Sequence, residues 1–223
     1  AAYKVVVEKF PKSNWRPNSL FTLGDLYKSK EEWSDCLYYY YQVLKEYPED
    51  KQLAPAALFA ANRTLIDNVD NAKKKLEDPK YKDVELVDKK AEIKQNIDLL
   101  KEHYPESDKL PGMLQDYIVY LVWRHSEENQ KELRDTCYYI MEHYPNTKHA
   151  EYAREELIDN MSLSGNAELQ GLALKLLDDS IEESIAKNEK EKAVNWMYYK
   201  GKLHINRQEY GNAREVFAHA LEY

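Results

Sequence analysis

Histidine and cysteine are the residues through which this chain could bind a metal, move a proton or attack an electrophile. There are six histidines, His103, His125, His143, His149, His204 and His219, and two cysteines, Cys36 and Cys137. Their spacing does not assemble that chemistry. His143 and His149 flank the helix-breaking Pro145 and match no metal-ligand pattern. The chain has no H-E-x-x-H, G-x-S-x-G, P-loop or dinucleotide-binding glycine motif. His103 and His143 stand in matching strings, Glu102-His103-Tyr104-Pro105 and Glu142-His143-Tyr144-Pro145, so repetition accounts for them; a protonated histidine at a helix C-terminus is also favoured by the dipole. Cys36 and Cys137 form no C-x-x-C and read as buried small hydrophobes. The expectation is no catalytic residue, no metal and no cofactor: not an enzyme.

The remaining chemically suggestive stretch is Tyr38-Tyr39-Tyr40-Tyr41. Successive helical residues are about 100° apart, so four of them sweep roughly 300° and cannot all line one ligand platform. Tyr40 is expected inside. Tyr38, Tyr39 and Tyr41 are expected to divide between neighbouring helices and solvent. Tyr138-Tyr139, before Ile140, reads as packing by the same rule, whereas Tyr198-Tyr199 keeps a functional reading.

The elements that must position these residues are helices. Charged residues make up 32% of the 223, glycines number only 6, and Leu, Ala, Glu and Lys dominate, all favouring helix over sheet. The net charge of -8 opposes sequence-independent binding to a phosphate backbone, so nucleic acid is not expected as a partner. No run approaches the roughly 18 apolar residues of a membrane span, so direct membrane insertion is not expected either.

Short strings of charged residue, aromatic and proline recur at Phe10-Pro11, Tyr47-Pro48, Tyr104-Pro105 and Tyr144-Pro145, separated by 37, 57 and 40 residues. Each proline must end the helix before it. Helices are predicted over 2–10, 17–30, 32–47, 53–76, 83–104, 112–126, 128–144, 149–162, 166–187, 190–206 and 209–223. Between Pro11 and Pro48 stand Leu20, Leu23, Gly24 and Tyr27, then Cys36, Tyr40 and Val43; near the C-terminus stand Gly201, Ala213, Phe217 and Ala220. This pattern resembles the tetratricopeptide repeat, a pair of antiparallel helices A and B, with Leu20 in place of tryptophan and Cys36 in place of alanine. Asn62 and Leu121 replace the glycine in the middle repeats.

The resemblance implies an all-α, tetratricopeptide-like solenoid of about five helix pairs in a right-handed superhelix. It divides 1–223 into a helix B remnant (1–11), repeats at 12–48, 49–105, 106–145 and 189–223, and a degenerate repeat at 146–188. The remnant, with Tyr3 and Val6 in late helix B slots, is read as exposing an apolar face, and the chain as a piece of a longer protein. The surplus in the 57-residue interval falls at 68–90, read as an extended helical hairpin with a solvated tip.

In that family helix A lines the concave surface. The matched positions here are Phe21 and Asp25, Phe59 and Arg63, Ile118 and Val122, and Tyr198 and Lys202, a mixed apolar and polar lining suited to a protein or peptide segment. The basic and asparagine clamp of the chaperone-binding members is not assembled at Phe21, Asp25, Phe59 and Arg63. Phe10-Pro11-Lys12-Ser13 and Tyr144-Pro145-Asn146-Thr147 further resemble a bacterial subset that includes the outer-membrane assembly lipoprotein (BamD-type) and the Tol-Pal coordinators, with Ser or Thr as helix N-cap. That resemblance implies a periplasmic or outer-membrane-associated interaction scaffold, with the cytoplasm as the alternative compartment. The other functional reading is a structural subunit assembling through solenoid ends or convex tyrosines.

Overall fold

Apolar residues recur every three or four positions along most of the chain, and each such run forms a helix. The computed structural model describes residues 2–76, 88–124 and 126–223, and among these every regular element is helical: α1 (Ala2–Lys9), α2 (Arg16–Lys28), α3 (Trp33–Glu46), α4 (Leu53–Leu76), α5 (Lys90–His103), α6 (Leu110–Val122), α7 (Glu127–His143), α8 (Lys148–Leu163), α9 (Ala167–Ala186), α10 (Lys190–Asn206) and α11 (Tyr210–Ala220). The all-α expectation is met, and the predicted boundaries agree to within a few residues with one exception. The expected start of α5 at residue 83 lies outside the described residues, and Asp88 and Lys89 are not helical. The Asp88 carboxylate accepts the Lys90 N–H at 3.0 Å and the Tyr120 hydroxyl at 2.6 Å, which pins the chain just before α5 begins. The tip of the proposed hairpin, 77–87, lies outside the described residues.

The helices fall into two units, Ala1–Arg124 and His125–Tyr223. In the first, α1 through α6 pack in chain order, each on the next, with additional contacts of α2 on α4 and α4 on α6. In the second, α7 through α11 do the same. Neighbour-on-neighbour packing is the arrangement of an α-solenoid, in which no helix hides its apolar stripe alone. Leu20, Cys36, Tyr40, Val43, Ala57 and Ala61 form one buried cluster from α2, α3 and α4. Helix α1 buries no residue fully and leaves Tyr3 and Val5 exposed, while Val7 packs against that cluster.

Two kinds of turn set the helix pairs. At each aromatic-proline string the aromatic residue accepts a backbone hydrogen bond from three residues on: Ser13 to Phe10, Asp50 to Tyr47, Ser107 to Tyr104 and Thr147 to Tyr144, at 2.9 to 3.2 Å. Tyr47, Tyr104 and Tyr144 leave their helices with nearly the same dihedrals, φ between -131° and -135°. The following proline excludes the helical conformation for the residue before it, which explains the recurrence. Thr147 then caps α8 through the Ala150 N–H, as expected. Ser13 does not cap α2; its hydroxyl accepts the Trp15 N–H instead.

The second turn carries little sequence signal, Asn188 alone being a residue type that favours it. Glu31, Asn188 and Gln208 occupy the left-handed region at φ near 60°. After each, a glutamate N–H bonds back five residues, Glu32 to Tyr27, Glu189 to Ser184 and Glu209 to His204. This is the Schellman closure, ordinarily built with glycine.

Candidate partner-binding face

Gly24 and Tyr40 show how the matched positions fix local geometry. A methyl group at Gly24 would stand 2.5 Å from Cε1 of the Tyr40 ring, so only glycine lets α2 and α3 approach this closely. Gly201 is closed by the Phe217 ring in the same way. Tyr40 is completely buried, and its hydroxyl donates to Asp25 Oδ1 at 2.6 Å. Burial, reinforced by that carboxylate, pushes the Tyr40 phenol well above its ordinary value. Asp25 is therefore engaged by α3 as well as exposed on α2.

In the first unit the half-buried Phe21 lies 5.4 Å from Tyr40, ring centre to ring centre. Phe59 is half-buried under the exposed Arg63 guanidinium, 5.7 Å from its ring centre, and Arg63 pairs with Asp116 of α6 at 3.3 Å. Lys28 of α2 pairs with Asp67 of α4 at 2.7 Å. Ion pairs thus join α2 to α4 and α4 to α6 along the stripe that carries Phe21, Phe59 and Arg63. Burial raises the Asp116 carboxyl above its ordinary range, opposed by Arg63.

Ile118 differs from expectation: it is fully buried and presents no surface to a partner, while Val122 is half-buried. The reason is that α6 is apolar nearly all round, with eight of its 13 residues buried, so apolarity alone cannot mark its outward stripe. Asp116 does mark it. Lys28 and Asp67, which were not among the expected positions, were within reach of sequence reasoning, since they follow Asp25 and Arg63 by three and four residues on the same helical faces.

In the second unit Tyr198 is 52% exposed, and Lys202 stands over its ring at 5.5 Å from the centre. Lys192 of α10 pairs with Glu151 of α8, again joining alternate helices.

Tyr38, Tyr39 and Tyr41 divide as expected, whereas Tyr138, expected to pack with Tyr139, is exposed. Tyr41 exchanges a hydrogen bond with buried Asn96 of α5, Tyr39 stacks on Tyr27 at 5.3 Å, and Tyr38 is exposed. Tyr139 stacks on His143 at 4.0 Å. Cys36 and Cys137 are fully buried, and burial pushes both thiols up, away from the reactive thiolate. Asn62 is fully buried with neither amide atom hydrogen-bonded among the described residues. Among the described residues no group of three His, Cys, Asp or Glu side chains could hold a metal, and no helix is long and apolar enough to cross a membrane. In comparison with known proteins, the chain matches no family model and no curated protein.

Proposed function

We propose that this protein is a non-enzymatic interaction scaffold, built of tetratricopeptide-like helix pairs, that binds a partner protein segment on its A helices. The observation that carries the reading is the α2–α4 face: Phe21 and Phe59 are half-buried, Arg63 lies over Phe59, and the stripe is fixed by the Lys28–Asp67 and Arg63–Asp116 pairs. Aromatic and arginine side chains held in place on an open face are the residues through which interfaces derive most of their energy. The likeness of Phe10-Pro11-Lys12-Ser13 and Tyr144-Pro145-Asn146-Thr147 to the junctions of the bacterial subset supports assigning the scaffold to the bacterial envelope.

The test is partner capture with two sets of variants. Phe21→Ser with Phe59→Ser is expected to weaken capture by at least about tenfold, the loss of a hot-spot contact. Tyr38→Ser with Tyr39→Ser is expected to leave it within about twofold. The reverse ranking, in variants that still melt cooperatively, would move binding to the opposite face and support the structural-subunit reading.

A further inference from the structure

The net charge is unevenly shared. Residues 1–124 hold 20 Lys and Arg against 21 Asp and Glu, whereas residues 125–223 hold 12 against 19. Against that acidic background, a cavity of about 230 Å³ in the second unit gathers Lys148, Arg154, Lys187 and Lys192. It is bounded by the first turn of α8, the end of α9 and the first turn of α10. Two helices thus begin at the cavity, and each helix start carries roughly half a positive charge. Its size falls below the roughly 300–1,000 Å³ of a site for a whole drug-sized molecule and suits one small charged group.

Three carboxylates share the lining, Glu151, Glu183 and Glu189. Glu183 holds Arg154 at 2.8 Å and Lys187 at 2.6 Å, while Lys192 pairs with Glu151 and, at 3.6 Å, with Glu189. The carboxylates are the outer partners. Their side chains are 42% to 58% exposed, against 25% for Arg154 and 34% for Lys192, so they can turn to solvent while these two cations stay in place. Four cations against three carboxylates, with two helix starts, leave the cavity short of about two negative charges. It is short of an acceptor as well. Trp196 lines the same cavity, is 1% exposed, and its indole N–H reaches no acceptor among the described residues. Thr147 caps α8, but Glu189 at the start of α10 accepts no first-turn N–H through its side chain.

We propose that this cavity binds a phosphate group. The site lies on the second unit and goes beyond the scaffold reading, which it does not require. A phosphate carries about -1.5 to -2 charges at pH 7, the amount the cavity lacks. A carboxylate presents its oxygens in one plane, whereas a phosphate presents them as a tetrahedron. The donors here come from different elements: the Arg154 guanidinium from α8, the Lys187 ammonium from the end of α9, and the Lys192 ammonium and Trp196 N–H from α10. Glu151 and Glu183 hold the cations in the free protein and give way to the ligand, and the indole gains the acceptor it lacks. A single phosphate differs from a nucleic-acid backbone, whose run of charges the acidic remainder of the unit repels.

Proton–nitrogen NMR of the full chain, titrated with inorganic phosphate and separately with acetate at matched ionic strength, tests this. The chain has four tryptophans, and W15F, W33F and W123F identify the Trp196 indole resonance by elimination while leaving its buried site intact. That resonance is expected to move downfield and saturate with phosphate, at a Kd of about 1 mM or tighter, and not with acetate. R154Q and K192Q are each expected to weaken binding about tenfold. K175Q, at an exposed position of α9 outside the cavity, is expected to leave it unchanged. E151Q removes a competing carboxylate and is expected to tighten it a few-fold. Arg154 and Lys192 lie outside the buried core, and a cooperative melt of each variant shows that lost binding reads on the site. A phosphoserine peptide and glycerol phosphate, titrated in the same way, separate the sources. Tighter binding of the first than of inorganic phosphate assigns a phosphorylated partner, of the second a lipid headgroup, and of neither a free phosphate. A Trp196 resonance that does not move, an equal response to acetate, equal loss in K175Q or weaker binding in E151Q overturns the proposal.

Discussion

At the scale of single residues, the closest fits in this protein are a glycine against a ring. The Tyr40 ring fills the space over Gly24 and is fixed there by Asp25 on one edge and by the buried cluster around Cys36 and Val43 on the other. It has no exposed side toward which to withdraw, since Tyr40 is completely buried. Gly24→Ala is therefore expected to destabilise the first unit by about 1–3 kcal/mol through overpacking, even though alanine is the better helix former. Chemical denaturation of the variant against the parent measures it, and an unchanged midpoint would show that the ring moves freely. Sequence alone placed Gly24, Tyr40, Cys36 and Cys137 correctly because each sits in a slot with one geometric job. It misplaced Ile118, because on a helix that is apolar nearly all round the matched position and the exposed stripe are no longer the same thing.

At the scale of elements, the two kinds of turn differ in how visible they are. Proline announces itself, and the residue before it has little conformational choice. The left-handed turns at Glu31 and Gln208 are invisible because residues that dislike that conformation have been carried into it by the helices on either side, whereas Asn188 is the residue type that, after glycine, adopts it most readily. Packing between α2 and α3, α9 and α10, and α10 and α11 supplies what the local sequence withholds. Replacing Glu31 or Gln208 with glycine is expected to stabilise its unit by about 0.5–1 kcal/mol, the relief of left-handed strain less the extra chain entropy of glycine. A fall in the denaturation midpoint of both variants would show that their side chains contribute more than their backbone costs. The start of α5 belongs to the same scale: Tyr120, from a different helix, holds Asp88 and so decides where the helix begins.

At the scale of the whole molecule, charge governs the response to pH. Glu155, Glu156 and Asp159 all have carboxyls raised above the ordinary range, with burial the main cause. The folded chain takes up protons at these groups more readily than the unfolded chain, so their contribution to stability grows as pH falls through the raised values. Glu183 runs the other way. Hydrogen bonds from Lys187 and Arg154 hold its carboxyl down to about 2 from an ordinary 4.5, so its stabilisation is complete above that ordinary value and is lost as pH falls toward about 2. Denaturation of the full chain across acid pH is expected to show E155Q/D159N flattening the rise and E183Q removing part of the later fall. A rise that survives in E155Q/D159N would assign it to other groups.

The sequence by itself determined the helices, their ends at each aromatic-proline string, the glycine contacts and the charge of each half, because all of these follow from local periodicity, backbone chemistry and composition. Only the tertiary structure decided which side chains face outward and which are answered. Whether Asp25 is free or bound, whether Glu155 and Asp159 find a cation, and whether Asn62 and Trp196 find a partner depends on the side chains that neighbouring helices bring within hydrogen-bond distance, and that distance is set in space and not along the chain.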